Sequence, residues 1–161
     1  MARFAAVPER RARFTEEKRL AALTEPQRSS GRLLYRRPGY LEKDTDGPDG
    51  ERLVVDGDRL VLTEGQDAPR VVDLGAHPEA LALVDALRAP LAGDFAALRR
   101  NFAVAASGTP GDWRLVLTPR DPAAARLVAR VAVSGGADGP REVVVEQAGG
   151  DTDRLRIEPV S

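Results

Sequence analysis

The chain has 161 residues, of which 42% are hydrophobic and 30% are charged, and its formal net charge at pH 7 is -1. This length is typical of one domain, so we expect a single domain over residues 1–161, and the absence of cysteine excludes disulfides and thiolate metal sites. A net charge close to zero gives no long-range attraction to nucleic acid, and no uncharged apolar run approaches the about 18–20 residues that cross a bilayer.

The segment 10–23 is ambiguous between strand and helix. Its second half favours a helix by propensity, whereas Ala12 and Phe14 alternate with polar neighbours as in a strand. Propensity alone predicts a helix. Residues 31–37 are predicted to form a strand that ends at a Pro-Gly pair, and residues 44–50 are predicted to form an exposed loop.

Residues 51–62 carry the clearest local signal in the sequence. Two short aliphatic runs are separated by Asp56-Gly57, and an Asp-Gly pair suits the positive φ angles of a two-residue type I′ turn. The segment is therefore predicted to be a β-hairpin.

The middle of the chain has helix start and stop signals. Residues 77–88 begin with a proline at a first-turn position next to an acid, continue with apolar residues near helical spacing, and end on a basic residue. A second short helix is predicted from Asp94, as its N-cap, to Phe102. The sequence thus predicts a helical insert at about 77–102 in an otherwise β chain.

Period-2 patterning predicts the strands that follow the insert, with glycine-rich turns at 135–140 and 149–151. One apolar face and one mostly polar face are typical of an antiparallel sheet that is covered on one side only. The residues assigned to the apolar face are Trp113, Leu115, Leu117, Leu127, Ala129, Val131, Val133, Leu155 and Ile157.

No pattern in the sequence indicates catalysis or a metal site. The single histidine, His77, precedes a proline at a predicted helix start, where a flanking or capping role is commoner than proton transfer. The acid-rich run 44–51 fails as a calcium loop, because Pro48, Asp49 and Val55 stand where such a loop needs a ligand, a glycine and a glutamate. We expect no enzyme, no cofactor and no metal; an esterase with His77 as base is the catalytic alternative.

Four short segments follow one another in a fixed order, with the helical insert between the third and the fourth. They are Arg13–Lys18, Ser30–Pro38, Arg52–Leu62 and Asp112–Arg120. Their order and spacing resemble the bacterial outer-membrane lipoprotein carriers, the LolA/LolB-like family. The resemblance implies a mainly β fold with helices, in which a curved antiparallel sheet forms an incomplete, half-open β-barrel covered by a helical lid. It also implies that the segment around Phe14 is a strand.

The same resemblance implies a carrier that binds a lipid, or the acyl chains of a lipoprotein, in an apolar cavity between sheet and helices. Each methylene transferred from water into such a cavity is worth about 0.8 kcal/mol, so a long chain supplies several kcal/mol. The family is periplasmic, so we expect a periplasmic monomer whose signal peptide is absent from this sequence. The expected partners are the cargo and a transfer partner at the inner or outer membrane.

In the family, an arginine on an early strand hydrogen-bonds to the lid and is displaced by ligand, and Arg37 matches that position. The alternative is that Arg37 caps a strand end in solvent. The side chains expected to line the cavity, each of which could equally belong to a packed core, are Phe14, Leu33, Tyr35, Leu53, Val55, Leu60, Leu62, Leu81, Val84, Leu87, Phe95, Trp113 and Leu115.

Two features depart from the family pattern and indicate a divergent branch. Aromatic residues make up only 4% of the chain, and Lys43 stands where the family tends to have an aromatic residue. The sequence therefore does not decide whether the cargo is a lipoprotein or a free or polyketide-type lipid. A second interpretation is a protein-interaction module whose apolar face is completely packed and takes no ligand.

Overall fold

A computed structural model of the chain describes residues 9–159. Its strands form one sheet in which neighbouring strands pair antiparallel, as predicted. The strands are β1 (Glu9–Arg19), β2 (Gln27–Arg36), β3 (Tyr40–Thr45), β4 (Glu51–Asp56), β5 (Arg59–Glu64), β6 (Arg70–Asp73), β7 (Phe102–Thr109), β8 (Asp112–Pro119), β9 (Val128–Gly136), β10 (Gly139–Gln147) and β11 (Thr152–Pro159).

The order of strands across the sheet is β6-β5-β4-β3-β2-β1-β11-β10-β9-β8-β7. The first six strands meander to one edge, and the last five begin at the opposite edge and meander back until β11 pairs with β1. The edge strands β6 and β7 do not pair with each other, so the barrel is incomplete, as predicted. The chain between β6 and β7 has to cross from one edge of the sheet to the other, and it does so as helices.

The crossing confirms the predicted helical insert. A 3-10 turn (Leu74–Ala76) precedes helix α1 (Pro78–Ala92), which is followed by α2 (Phe95–Asn101); α3 (Pro122–Leu127) lies between β8 and β9. Gly93 ends α1 with a left-handed φ of 69°, and the Asp94 carboxylate caps α2 by accepting from the backbone N–H of Ala97. Phe102, predicted to be helical, is the first residue of β7. Within residues 9–159, no helix has the length and apolar character needed to cross a membrane.

The buried side chains between sheet and helices form two clusters. The larger cluster joins β1, β2 and β7–β11 to all three α-helices, with Phe14, Leu98, Phe102 and Leu117 almost fully buried. The smaller cluster joins β2–β5 to α1 and to Leu74 of the 3-10 turn. Because Leu87 packs against both clusters, α1 connects the two halves of the interior.

Strand β1 confirms the expectation from the family and shows that the helix predicted from propensity is wrong. It pairs with β2 along one side and with β11 along the other. Its inner face also buries Ala12, Phe14 and Glu16. Hydrogen bonds on both sides and this burial outweigh a preference for helix that amounts to only tenths of a kcal/mol per residue.

The predicted alternation of the apolar face fails at Leu127 and Ala129, although the other residues assigned to that face are buried. Leu127 ends α3 and is 50% exposed. Ala129 has no partner on β10, because Val128 and Arg130 pair with consecutive residues of that strand. This bulge shifts the side-chain phase, so Val128 takes the inner position before Val131.

The predicted hairpin over 51–62 is present as β4 and β5, but its turn lies one residue later than predicted. Asp56 pairs with Arg59, so Gly57 and Asp58 are the central residues of the turn. Gly57 has a φ of 61°, and among residues 9–159 only glycines have positive φ. A type I′ turn needs two positive φ angles and therefore does not form here.

Candidate functional site

Helix α1 lies across the inner face of the sheet as a lid, in contact with α2, α3, β10 and β2. Half of its buried positions are alanine: Ala82, Ala86 and Ala89. An alanine has little side chain to interlock with neighbours, so these positions bury less apolar surface than leucines would. The apolar attachment of the lid to the sheet is therefore limited.

A polar contact from Arg88 supplements this attachment. The Arg88 guanidinium donates to the backbone carbonyl of Gly39 at 3.1 Å and to that of Gly57 at 2.5 Å. Gly39 lies in the β2–β3 turn and Gly57 in the β4–β5 turn, and the N–H of Gly57 donates to the carbonyl of Gly39 at 3.3 Å. A single side chain of the lid thus joins both turns at one end of the sheet.

The same guanidinium is oriented by a carboxylate on its own helix. Arg88 donates to Asp85 Oδ1 at 2.9 and 3.2 Å, and both side chains are only 13% exposed. The other oxygen of Asp85 accepts from Asn101 Nδ2 at 2.9 Å, which extends the network to α2. Because planar guanidinium groups make well-directed, charge-assisted hydrogen bonds, this network fixes the closed position of the lid.

An open cavity of about 530 Å³ follows the seam between the lid and the two turns. Its walls are Arg88, Asp85 and Leu81 from α1, the two turns, and the start and end of α2. Leu81, which was predicted to line an apolar cavity, contributes to this more polar cleft. The cleft is the place where the interior between sheet and helices comes nearest to solvent on this side.

The structure brings the other predicted lining residues together on the inner face, but divides them between the two clusters. Phe14, Leu33, Phe95, Trp113 and Leu115 belong to or pack against the larger cluster. Tyr35, Leu53, Val55, Leu60, Leu81 and Val84 belong to or pack against the smaller one, Leu87 contacts both, and Leu62 on β5 is partly buried. Most of these side chains are in contact with one another in the closed form.

Trp113 anchors the lid side of the larger cluster. Its ring lies 5.8 Å from that of Phe95 at an interplanar angle of 87°, an edge-to-face arrangement. Its Nε1–H donates to the buried backbone carbonyl of Gly136 at 2.9 Å. The tryptophan strand is thus packed against the start of α2 with its polar atom satisfied.

Arg37, the arginine matched to the family latch, is exposed in the turn between β2 and β3. It borders an open recess of about 590 Å³ together with Tyr35, Pro38, Gly93 and the neighbouring residues of the loop between α1 and α2. No hydrogen bond of the Arg37 side chain occurs among those formed within residues 9–159, whereas Arg88 joins lid and turns. Sequence reasoning missed Arg88, although an Asp and an Arg three residues apart on one helix indicate an oriented guanidinium.

A charged group lies on the inner face at the other end of the strands. Lys43 Nζ is 2.9 Å from Glu16 Oε1, with side-chain exposures of 12% and 6%, and 5.1 Å from the centre of the Phe14 ring. Burial and the adjacent Glu16 carboxyl raise the pKa of Asp153, on β11, to about 7. Burial alone would raise the pKa of Glu16, but hydrogen bonds with Asp153 and Lys43 lower it. Below about pH 7, Asp153 rather than Glu16 is therefore the protonated carboxyl.

The chain also matches a known protein family over nearly its whole length. Residues 1–157 match the family described as outer membrane lipoprotein carrier protein LolA-like. A comparison with curated proteins gives no match.

Solved structures with a similar fold share little sequence with the chain. A DUF1329 family protein from Desulfovibrio piger is 9% identical with a TM-score of 0.51, and the match covers 98% of this chain and 86% of that one. A LolA superfamily protein from Nitrosomonas europaea is 12% identical, with a TM-score of 0.47 and coverage of 93% and 84%. A chain of the Pseudomonas aeruginosa MucA/MucB complex is 15% identical, with a TM-score of 0.46 and coverage of 97% and 53%.

The family match extends over nearly the whole chain, and the open antiparallel sheet with helices across its inner face is the fold that the four sequence segments predict. The chain belongs to the LolA-like family of outer membrane lipoprotein carrier proteins.

Proposed function

We propose that this protein is a periplasmic carrier that binds a lipid, or the acyl chains of a lipoprotein, between the sheet and α1, for transfer toward the outer membrane. Family membership, which suggests a lipid- or protein-binding module of the periplasm, supports this function. The attachment of α1 is the observation that supports it most: three of its six buried residues are alanine, and one arginine joins it to the turns. In this function the chain binds and releases cargo without catalysing a reaction.

Cargo enters when α1 moves away from the inner face. An acyl chain would then replace contacts between α1 and the inner strands with its own, and each buried methylene is worth about 0.8 kcal/mol. The limited apolar surface of α1 keeps the cost of its displacement low, so a chain of ordinary length offsets it. The cargo would contact the inner residues of both clusters, including Phe14, Leu33, Val55 and Trp113.

Two arginines are assigned to control of the lid. Arg88 joins α1 to the turns in the closed form. Arg37, which the family resemblance matches to the latch, borders the recess beside the loop between α1 and α2, where it would contact cargo on its way in. Replacement of either arginine should change retention of cargo more than it changes folding.

Native mass spectrometry after incubation with a palmitoylated peptide tests the function directly. The wild-type protein should retain the palmitoylated peptide and not its unacylated form, and Arg37→Leu should alter the retained fraction. Arg59→Leu, an exposed arginine on the outer face of β5, is the matched control. Equal occupancy of wild type and Arg37→Leu would remove the Arg37 assignment, and no retention of the acylated peptide would remove the carrier function.

A second candidate is a protein-interaction module with a fully packed core. The observation in its favour is that the predicted lining residues already contact one another, with Phe14, Val55 and Leu115 almost fully buried. Such a module would not take up an environment-sensitive fluorescent fatty acid. Uptake of the dye at one site per chain, displaced by palmitate, would decide for the carrier.

A further inference from the structure

The buried ion pair Glu16–Lys43 lies where the apolar interior of the inner face ends. Phe14, Leu33 and Leu41 lie on its apolar side, on neighbouring positions of β1, β2 and β3. Replacing a buried ion pair by well-packed apolar side chains is usually neutral or stabilising, so stability gives no reason for charges at this place. Lys43 also departs from the aromatic residue expected there from the family resemblance. The pair therefore calls for a functional explanation.

The ion pair borders a cavity of about 330 Å³ at the end of the strands that lies away from Arg88. From the strands, the cavity is lined by Glu16, Lys18 and Lys43 together with Ser29 and Thr45. Lys43 is in contact with the ring of Phe14, so its ammonium group lies at the boundary between the apolar interior and the cavity. A ligand with an acyl chain among the apolar side chains would place its head group here.

The charges around the cavity are arranged in two layers. Next to the strands, the cavity is lined by the ammonium groups of Lys18 and Lys43 and by one carboxylate, that of Glu16. Lys18 and Lys43 thus leave an excess of positive charge in the inner layer. The loop that closes the outer side carries only carboxylates, and they belong to Asp46, Asp49 and Glu51. The inner layer attracts an anion, and the outer layer attracts a cation.

We propose that this cavity binds the head group of a zwitterionic lipid, with a phosphate next to the acyl chain and an ammonium group at the far end, as in phosphoethanolamine lipids. The phosphate would accept hydrogen bonds from Lys18, Lys43 and the two hydroxyls. The ammonium group would lie against Asp49 and Glu51, since Asp46 is engaged by Arg13 at 3.3 Å. This assignment rests on the proposed lipid-carrier function and specifies its cargo.

Native mass spectrometry with three lipids of the same palmitoyl chain tests the assignment. They are lysophosphatidylethanolamine, which has both charges, lysophosphatidylglycerol, which has only the phosphate, and palmitoylglycerol, which has neither. The wild-type protein should bind the first about tenfold more tightly than the third, as expected for charge-assisted hydrogen bonds at a partly solvated site, and the second with intermediate affinity. Free phosphoethanolamine, without the chain, should compete at least about 100-fold more weakly.

Two variants each remove one of the two ammonium groups that would donate to the phosphate, without leaving a buried charge unpaired. They are Lys18→Gln and the double variant Glu16→Gln/Lys43→Met; Arg70→Gln, an exposed residue of the edge strand β6, is the control. In both variants the preference for lysophosphatidylethanolamine over palmitoylglycerol should fall to within about twofold, with palmitoylglycerol binding unchanged.

Equal affinity of the wild type for all three lipids, or an undiminished preference in both variants, would overturn the head-group assignment while leaving the carrier function intact. Binding of lysophosphatidylglycerol as tight as that of lysophosphatidylethanolamine would overturn the role of the outer carboxylates and with it the zwitterionic class. Failure of all three lipids to bind would instead remove the carrier function itself.

Discussion

The hydrogen bonds of Arg88 predict that its replacement by leucine accelerates the release of cargo. The side chain makes four short contacts, two to turn carbonyls and two to Asp85, and only the former join the lid to the sheet. A hydrogen bond from a charged donor contributes about 1.5–3 kcal/mol net. After the change, the carbonyls of Gly39 and Gly57 at the edge of the cleft can bind water. We therefore take the lower part of that range for the loss of these two hydrogen bonds together.

A closed lid destabilised by about 1.5–2 kcal/mol should open roughly 10- to 30-fold more often. The rate at which a bound fluorescent fatty acid leaves the protein, measured by stopped-flow dilution into excess palmitate, should rise by that factor in Arg88→Leu. Arg59→Leu should leave the rate unchanged, because Arg59 lies on the outer face. If Arg88→Leu released the dye within twofold of the wild-type rate while remaining folded by circular dichroism, Arg88 would not hold the lid.

Two further predictions concern the stability of the sheet. Because the pKa of Asp153 is about 7 in the folded protein and 3.8 in the unfolded chain, its ionisation favours unfolding as the pH rises from about 4 to 7. Asp153→Asn should therefore stabilise the protein more at pH 8 than at pH 5, by up to about 2.7 kcal/mol in urea titrations, and an equal gain at both pH values would contradict the raised pKa. Gly31→Ala should cost about 3 kcal/mol or more in the same titrations, since a Cβ there would lie 2.0 Å from the carbonyl oxygen of Asp44 and 2.8 Å from the Phe14 ring. Gly111→Ala, where a Cβ meets nothing within 4 Å, should change stability by less than about 0.5 kcal/mol, and similar losses at both glycines would refute the steric reason.

The sequence contains enough information to predict the strands with strict alternation and the helices with clear caps. Trp113, Leu115 and Leu117 share the inner face as predicted, and Asp94 caps α2 as predicted. Where alternation is interrupted, local patterns fail. The bulge at Ala129 depends on pairing with β10, which the residues around it do not encode.

Local sequence patterns also fail to predict strands that form only because a neighbouring strand pairs with them. β7 is rich in alanine and has little intrinsic β preference, and it forms because β8 offers a complete row of backbone partners. β6 is only four residues long. For β1, the local signal favours helix, and only the resemblance of a longer stretch of sequence to a known family predicts the strand.

The sequence predicts which apolar side chains belong to the candidate site, but not the polar contacts around them. Alternation identifies the apolar side chains of the inner face, because it needs only the order of residues along one strand. The Arg88 contacts depend on how closely two turns, 31 and 49 residues away in sequence, approach α1. The Glu16–Lys43 pair likewise depends on the register of three strands. Long-range geometry of this kind has no signature in a single sequence.

The pairing of β1 with β11 has a consequence for how the chain acquires its structure. These two strands are the first and the last in the described sequence, yet they are neighbours in the middle of the sheet. Until β11 is available, β1 has a free edge and the sheet consists of two separate meanders. Contacts between residues so distant in sequence slow folding. A circular permutant that connects β11 to β1 and opens the chain between the unpaired edge strands β6 and β7 would leave every strand next in sequence to the strands it pairs with. It should therefore fold faster while retaining the same interior.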